Sequence, residues 1–259
     1  MKKKPATRTS SDRRLLYGVN PLIEALRADR LPSEIIIAEG ARDARLRELI
    51  RLAESRHVPV RRAPRSRLDR ETGNSLHQGV IARISPAAYA DAETLVNEIG
   101  ARVGSEAEPL VLVLDGIEDP RNLGAILRTA ECAGVDGVFI PERRAAGLND
   151  TVAKASAGAI EHLSIARVTN LSRLIEQLKE RNVWIVGTDA QAATNYTDWD
   201  WRRPSVVVLG AEGTGLHRLV REHCDVLVRI AVRGKIDSLN VSVAAGVVLY
   251  EAQRQRAAN

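Results

Sequence analysis

The order of apolar and polar positions divides the chain into two stretches of different character. From Leu15 to Ile84 the pattern reads helix, strand, helix, strand, loop, strand, carried by "NPLIEALRAD", "EIIIAEG", "ARLRELIRLAESR", "VPVRRA" and, beyond a loop, "GVIARI". That is enough for a small α/β domain. From Pro109 onward, short apolar runs recur at Leu110 to Leu114, Gly137 to Ile140, Val183 to Gly187, Val206 to Leu209 and Val226 to Ile230. Uninterrupted apolar runs suit strands covered on both faces. Helical segments alternate with them, among them "NLSRLIEQLKERN" with Asn170 as its cap candidate, and predict a mostly parallel sheet of the α/β class.

Two segments are harder to place. "SPAAYADAETLVNEIGARVGSEAEP" is rich in Ala, Glu, Gly and Ser and reads as a linker with one weak helix. The closing "SLNVSVAAGVVLYEAQRQR" alternates at first, but it runs too far without a turn and ends in helix-favouring residues, so a helix is predicted. Ser242, Ala245, Gly246 and Leu249 then share a face, small enough for close approach by the chain's own core or by a second subunit. The expected division is a basic tail over 1–13, an N-terminal domain over 14–85, a linker over 86–108 and a C-terminal domain over 109–259.

Charge and composition narrow the class. No apolar run approaches the roughly 20 residues that span a bilayer, and no apolar segment follows the charged "MKKKPATRTSSDRR", so a soluble protein without a secretory signal is expected. The two cysteines, Cys132 and Cys224, have no paired spacing, which suits a reduced, cytoplasmic protein. Residues 1–14 hold six Lys/Arg and one Asp, and the remainder holds 32 basic and 32 acidic residues, so these first fourteen residues carry the whole net charge of +5. Such a tail grips phosphate backbones or merely aids solubility. "RHVPVRRAPRSRLDR" sets six arginines against one aspartate. Arginine suits bidentate phosphate contact, and a solvated surface loop is the competing reading.

Candidate chemistry lies in three loops that follow strands, at the edge where open α/β sheets bind ligands. In "DGIEDPRNLG" and the helix after it, Leu123, Ile126, Leu127 and Ala130 mark a buried face. Gly124 costs about 1 kcal/mol relative to alanine inside that helix, which predicts a close approach to bare backbone beside Arg128. "GAEGTGL" brings backbone amides and the Glu212 carboxylate to one turn, without matching the dinucleotide fingerprint or the P-loop. "KIDSLN" puts Ser238 and Asn240 before the last helix, where one of them is expected to cap it. The five histidines show no metal-ligand spacing, no G-x-S-x-G elbow occurs, and Trp199 and Trp201 are read as packing residues.

"NLGAILRTAECAG", "VVLGAEGTGL" and "SLNVSVAAGVVLYEA" resemble, in order, the three signature motifs of the SpoU (TrmH-like) RNA ribose 2′-O-methyltransferases. "LLYGVNPLIEAL" and the "HQGV" at His77 to Val80 resemble the N-terminal RNA-binding domain of the branch that modifies guanosine in 23S rRNA. The resemblance implies a trefoil-knotted C-terminal domain, although no local pattern shows a knot. It also implies S-adenosylmethionine as methyl donor, RNA and most directly 23S rRNA as partner rather than DNA or membrane, and a homodimer with the active site near its interface. By motif, Asn122 and Arg128 act at the reacting ribose, Glu212 helps order the site, and Ser238 and Asn240 complete it. Gly210, Ile230 and Leu239 contact the donor largely through backbone, and Gly187 and Thr188 border the same pocket.

The family commonly carries proline and methionine after the isoleucine of the third motif, whereas this chain reads Ala231-Val232. Proline's fixed φ is therefore absent from that loop. Arginine is a poor general base, with a pKa above about 12. Arg128 is expected to anchor a substrate phosphate and polarise the 2′-hydroxyl, or else to lose a proton in a special site, and Gly124 to leave room for the ribose-phosphate. Two other readings stay open, a tRNA ribose 2′-O-methyltransferase and a non-catalytic RNA-binding assembly factor.

Overall fold

The computed structural model describes residues 14–28, 30–74, 76–84, 89–235 and 238–257. The basic tail therefore lies outside the described residues. The chain divides into two units, residues 1–87 with 148–161, and residues 88–147 with 162–259.

Four strands form the sheet of the first unit: β1 (Arg14–Tyr17), β2 (Glu34–Ala38), β3 (Val60–Ala63) and β4 (Val80–Ile84), in the order β1-β4-β2-β3. β4 runs antiparallel to both of its neighbours, and β2 and β3 pair in parallel. Helix α1 (Val19–Arg27) buries Leu22, Ile23, Ala25 and Leu26, while α2 (Ala44–Ser55) buries Leu46, Leu49 and Ala53 and takes its N-cap from Asp43. The stretch expected as a loop before β4 holds a helix, α3 (Arg65–Glu71), whose buried residue is Leu68. Its charged sequence hid it, and an Arg67–Glu71 ion pair of 2.9 Å at i,i+4 spacing now braces it.

The "HQGV" segment is a lock inside this unit. Gly18, the N-cap of α1, has no side chain to offer, and the Val19 N–H donates instead to Gln78 Oε1 at 3.1 Å. The His77 ring is buried between Asp69, 2.8 Å from its Nε2, and the Gly79 N–H, which donates to its Nδ1 at 3.0 Å. These partners require the proton on Nε2. Residues 148–161 pack with this unit through α6 (Asp150–Ala155) and a 3₁₀ turn at Ala159–Glu161, with the Lys154 ammonium 5.1 Å from the centre of the Tyr17 ring.

In the second unit, seven strands pair in parallel throughout: β5 (Leu110–Asp115), β6 (Gly137–Pro141), β7 (Ile165–Val168), β8 (Trp184–Thr188), β9 (Thr194–Asn195), β10 (Ser205–Gly210) and β11 (Val226–Arg229). Their order is β7-β6-β5-β10-β8-β11-β9. β5 and β10, side by side at the centre, are buried along their whole length. Parallel pairing puts all the carboxyl ends on one edge, so the loops after β5, β10 and β11 emerge together there.

Helices flank this sheet. α4 (Ala92–Arg102), within the stretch read as a linker, buries Leu95, Val96 and Ile99 in the core of the unit. α5 (Pro120–Cys132) opens with Asp119 as N-cap and Pro120 in its first turn, and α7 (Leu171–Lys179) is capped by Asn170, which accepts from Arg173 N–H at 3.2 Å. α8 (Arg218–Glu222) is a short turn of helix before β11.

The closing segment is helix α9 (Val241–Arg256), packed on α5, with the missing side chain of Gly246 facing Thr129. Gly124 is buried within α5, so the open backbone surface expected beside Arg128 is absent. Trp201 is fully buried and donates to the Tyr196 carbonyl at 2.7 Å, and Trp199 sits edge-on against both Trp201 and Trp184. The tryptophans pack, as expected.

Candidate active site

The loop after β10 is shaped by a contact that admits only glycine. A Cβ at Gly210 would lie 2.2 Å from the Gly215 backbone carbon, because Ala211 and Gly215 pair through two backbone hydrogen bonds and fold the loop back on the strand end. Gly213 and Gly215, with φ of 83° and 67°, supply the left-handed conformations that this reversal needs. Glu212 is held out at its tip.

Around this loop opens a cavity of about 510 Å³. Its wall includes Thr188, Gly210, Glu212, Ile230, Ser238 and Leu239, six of the residues singled out in the sequence. Leu209, Leu216, Val228, Val241 and Ala244 add apolar surface, and the exposed backbone of the loop adds polar groups. Gly187 lies beneath the cavity rather than in its wall. A Cβ there would press within 3 Å of Cys224, Leu227 and Leu216, so the glycine lets those side chains pack under the floor. Burial pushes the Cys224 thiol up to about 12, which leaves it un-ionised at neutral pH.

Sequence reasoning missed a polar group on the same wall, made of Asp189, Gln191 and Arg221. Burial works against ionisation of Asp189, but the Gln191 N–H and the Arg221 guanidinium, each 2.7–2.8 Å from its oxygens, outweigh it and hold the carboxyl below its ordinary range. The signal that could have found it is its position just past the end of β8, on the ligand-binding edge of the sheet.

Three residues from three distant segments meet at the mouth. Asn240 is the N-cap of α9 and its Oδ1 accepts from the Ser242 N–H at 2.9 Å. That bond settles the sense of everything beyond it, since a backbone N–H can only donate. The Asn240 Nδ2 must face outward, and it donates to Asn122 Oδ1 at 3.1 Å. The Asn122 Nδ2 in turn donates to Glu212 Oε2 at 3.3 Å. A relay thus runs from the helix end through two amides to a carboxylate, linking positions 118 and 90 residues apart. Each amide keeps one N–H, and Glu212 keeps one oxygen, for a ligand.

Arg128 stands apart from this relay. It lies six residues past Asn122 on α5, about 9 Å along the axis and turned to another face. It is exposed and makes no hydrogen bond or ion pair among the described residues. The structure therefore joins Asn122, Glu212 and Asn240 directly, places Ser238 in the adjoining wall, and leaves the Arg128 guanidinium unengaged.

The chain is similar to known proteins over most of its length. The SpoU rRNA Methylase family matches residues 109–250, and the family described as RNA 2′-O ribose methyltransferase substrate binding matches residues 15–90. YacO of Bacillus subtilis, assigned to the TrmH family of tRNA/rRNA methyltransferases, is 44% identical over 241 residues, covering 93% of this chain and 95% of its own. The SpoU methyltransferase AviRb of Streptomyces viridochromogenes superposes with a TM-score of 0.79 at 25% identity, over 97% of this chain and 92% of that one. The TrmH/SpoU tRNA-modifying enzyme of A. aeolicus gives a TM-score of 0.54 at 29% identity, over 64% of this chain and 85% of its own. With its C-terminal unit and its N-terminal segment both accounted for, the chain belongs to the SpoU family of RNA methyltransferases.

Proposed function

We propose that the protein transfers a methyl group from S-adenosylmethionine to the ribose 2′-hydroxyl of a guanosine in 23S rRNA, as in the RlmB-like branch of the family. The observation that carries this reading is the Glu212–Asn122–Asn240 relay standing beside the cavity of about 510 Å³. That volume is in the range of about 300–1,000 Å³ usual for small-molecule sites. Apolar side chains from Leu209, Ile230 and Leu239 suit a purine, and the folded-back loop offers backbone groups to the donor's polar parts. AviRb has also been crystallised with this cofactor, at 24% identity and a TM-score of 0.78.

When bound, the donor supplies an already electrophilic methyl group. The protein's own work is to align the ribose oxygen and to manage its proton. Orientation of this kind is worth about 7–11 kcal/mol of barrier. Asn122 and Asn240, held by α5 and α9, each offer an N–H to the ribose, and Glu212 and Ser238 close the approach. Arg128, on another face of α5 from the relay, takes a backbone phosphate of the RNA. Residues 14–85, with exposed Arg62, Arg65 and Arg70, form the RNA-binding domain, and residues 109–259 form the catalytic one. Val243 and Tyr250, both more than half exposed on α9, provide an apolar stripe for a second copy in a homodimer. The compartment is the cytoplasm, where its RNA resides.

The test is incubation with labelled S-adenosylmethionine and separate pools of rRNA and tRNA, followed by mapping of the methylated nucleotide. A 2′-O-methylguanosine in 23S rRNA is expected. A mark in tRNA alone would move the protein to that substrate class, and RNA binding without any mark would make it an assembly factor.

A further inference from the structure

The loop after β10 has two sides. Its residues Ala211 to Leu216 line the large cavity, and the next residue, His217, lines a separate cleft of about 240 Å³. This second cleft sits at the carboxyl ends of β5, β6 and β7, and Arg143, Arg144 and the first turn of α7 wall it.

Its chemistry is cationic. Arg143 and Arg144 are exposed and make no hydrogen bond or ion pair among the described residues. Arg144 has φ of 56°, a left-handed conformation that a residue carrying a Cβ seldom adopts and that costs about 1–2 kcal/mol. Strain of that kind concentrates where a side chain must be aimed at something.

His217 is aimed as well. Its backbone N–H and its ring Nδ1–H both donate to the buried Asp115 carboxylate, at 2.7 and 2.8 Å, which fixes the ring with Nε2 turned away from that carboxylate. Asp115 is the one carboxylate among the described residues that wall the cleft, and both of its oxygens are taken by His217. Nothing acidic in that wall remains to neutralise the two guanidinium groups.

We infer that this cleft binds a phosphodiester of the RNA strand beside the nucleotide being methylated. The inference rests on the RNA ribose methyltransferase reading and deepens it. Guanidinium forks match phosphate oxygens two at a time, and the cleft has room for one phosphate with part of its sugar. Consecutive residues of the 211–217 loop line the two, Ala211 to Leu216 the large cavity and His217 the cleft, so one strand can lay a ribose at the relay and the adjoining phosphate on the arginines. The cleft then sets which ribose along the strand reaches the donor.

The test compares the wild-type chain with an Arg143→Gln/Arg144→Asn variant, asparagine being chosen because it tolerates the left-handed backbone. Affinity for an rRNA fragment containing the methylated ribose is measured over a range of salt, together with calorimetric binding of S-adenosylmethionine. Affinity for the fragment should fall about tenfold. The slope of log affinity against log salt should fall by about 0.7 for one single-stranded phosphate contact. Donor affinity should stay unchanged, which shows the fold intact.

Replacing individual flanking phosphates by neutral methylphosphonates should, at one position, weaken the wild-type complex and not the variant's. A variant that binds RNA with wild-type affinity and salt slope overturns the inference while leaving the parent reading standing, as does methylphosphonate substitution that weakens both proteins alike at every position. A wild-type protein that binds no RNA overturns both.

Discussion

In the C-terminal unit β5 and β10 are buried from end to end, whereas in the N-terminal unit β3 leaves Arg61 and Arg62 in solvent between half-buried Val60 and buried Ala63. The first arrangement suits a sheet covered on both faces, and the second an edge strand protected by charge. The two units also tie their loops differently. In the N-terminal unit, Gln78 reaches back to cap α1 and His77 bridges Asp69 and Gly79, and the bonded groups are mutually satisfied. In the C-terminal unit, the relay from Asn240 to Glu212 ends on exposed groups with bonding capacity to spare. A closed network holds a scaffold together, and an open-ended one is available to a ligand.

The largest test of that difference is Gly210→Ala, because the new Cβ must displace the Gly215 backbone. Donor affinity measured by calorimetry should fall more than about a hundredfold, with the far-ultraviolet circular dichroism of the sheet retained. Asn240→Asp comes next. Its carboxylate still accepts from the Ser242 N–H but has no N–H for Asn122, whose amide oxygen it then faces, so the relay breaks in the middle. Single-turnover methyl transfer should slow about a hundredfold, with donor affinity within about threefold.

Arg128→Lys keeps the charge and loses the planar fork. Transfer at saturating RNA should drop about tenfold, and a near wild-type rate would remove Arg128 from the chemistry. Gln78→Ala leaves the Val19 N–H without its partner, and urea unfolding should show a loss of about 1 kcal/mol with donor affinity unchanged. The smallest effect concerns acid. Because the folded state holds the Asp189 carboxyl below its ordinary value, its ionised form stabilises the fold fully above the usual aspartate pKa of about 3.9. That contribution is lost as the pH falls through the lowered value. Asp189→Asn should make acid unfolding slightly less steep.

The same contrast explains what could be read in advance. The runs that became β5, β6, β8, β10 and β11 are mostly apolar, and β5 and β10 are buried from end to end, so the strand positions agree with expectation to within a residue or two. The final helix was readable from its length and polar end. α3 was not, because Arg65–Glu71 is charged at nearly every position and buries only Leu68. β1, β7 and β9 escaped as segments of two to four residues whose strand character comes from the neighbours they pair with.

At the site, the glycine turn and the Asn240 cap were local features and visible as such. The contact between Asn122 and Asn240 spans 118 residues and has no local signature. Only the motif resemblance placed the two together. Asp189 and Arg221 lie outside all three signature motifs, and their pairing depends on how β8 and α8 sit on the sheet. Gly124 misled for the converse reason: a glycine in a helix signals close approach without saying whether a ligand or the protein's own core comes near.

The decisive measurement is a crystal structure of the protein with S-adenosylmethionine bound. The donor should occupy the space between Thr188, Gly210, Ile230 and Leu239, with its methyl carbon directed toward the Asn122 amide and the Glu212 carboxylate. A donor lodged elsewhere, or Asn240, Asn122 and Glu212 found separated when it binds, would contradict the account.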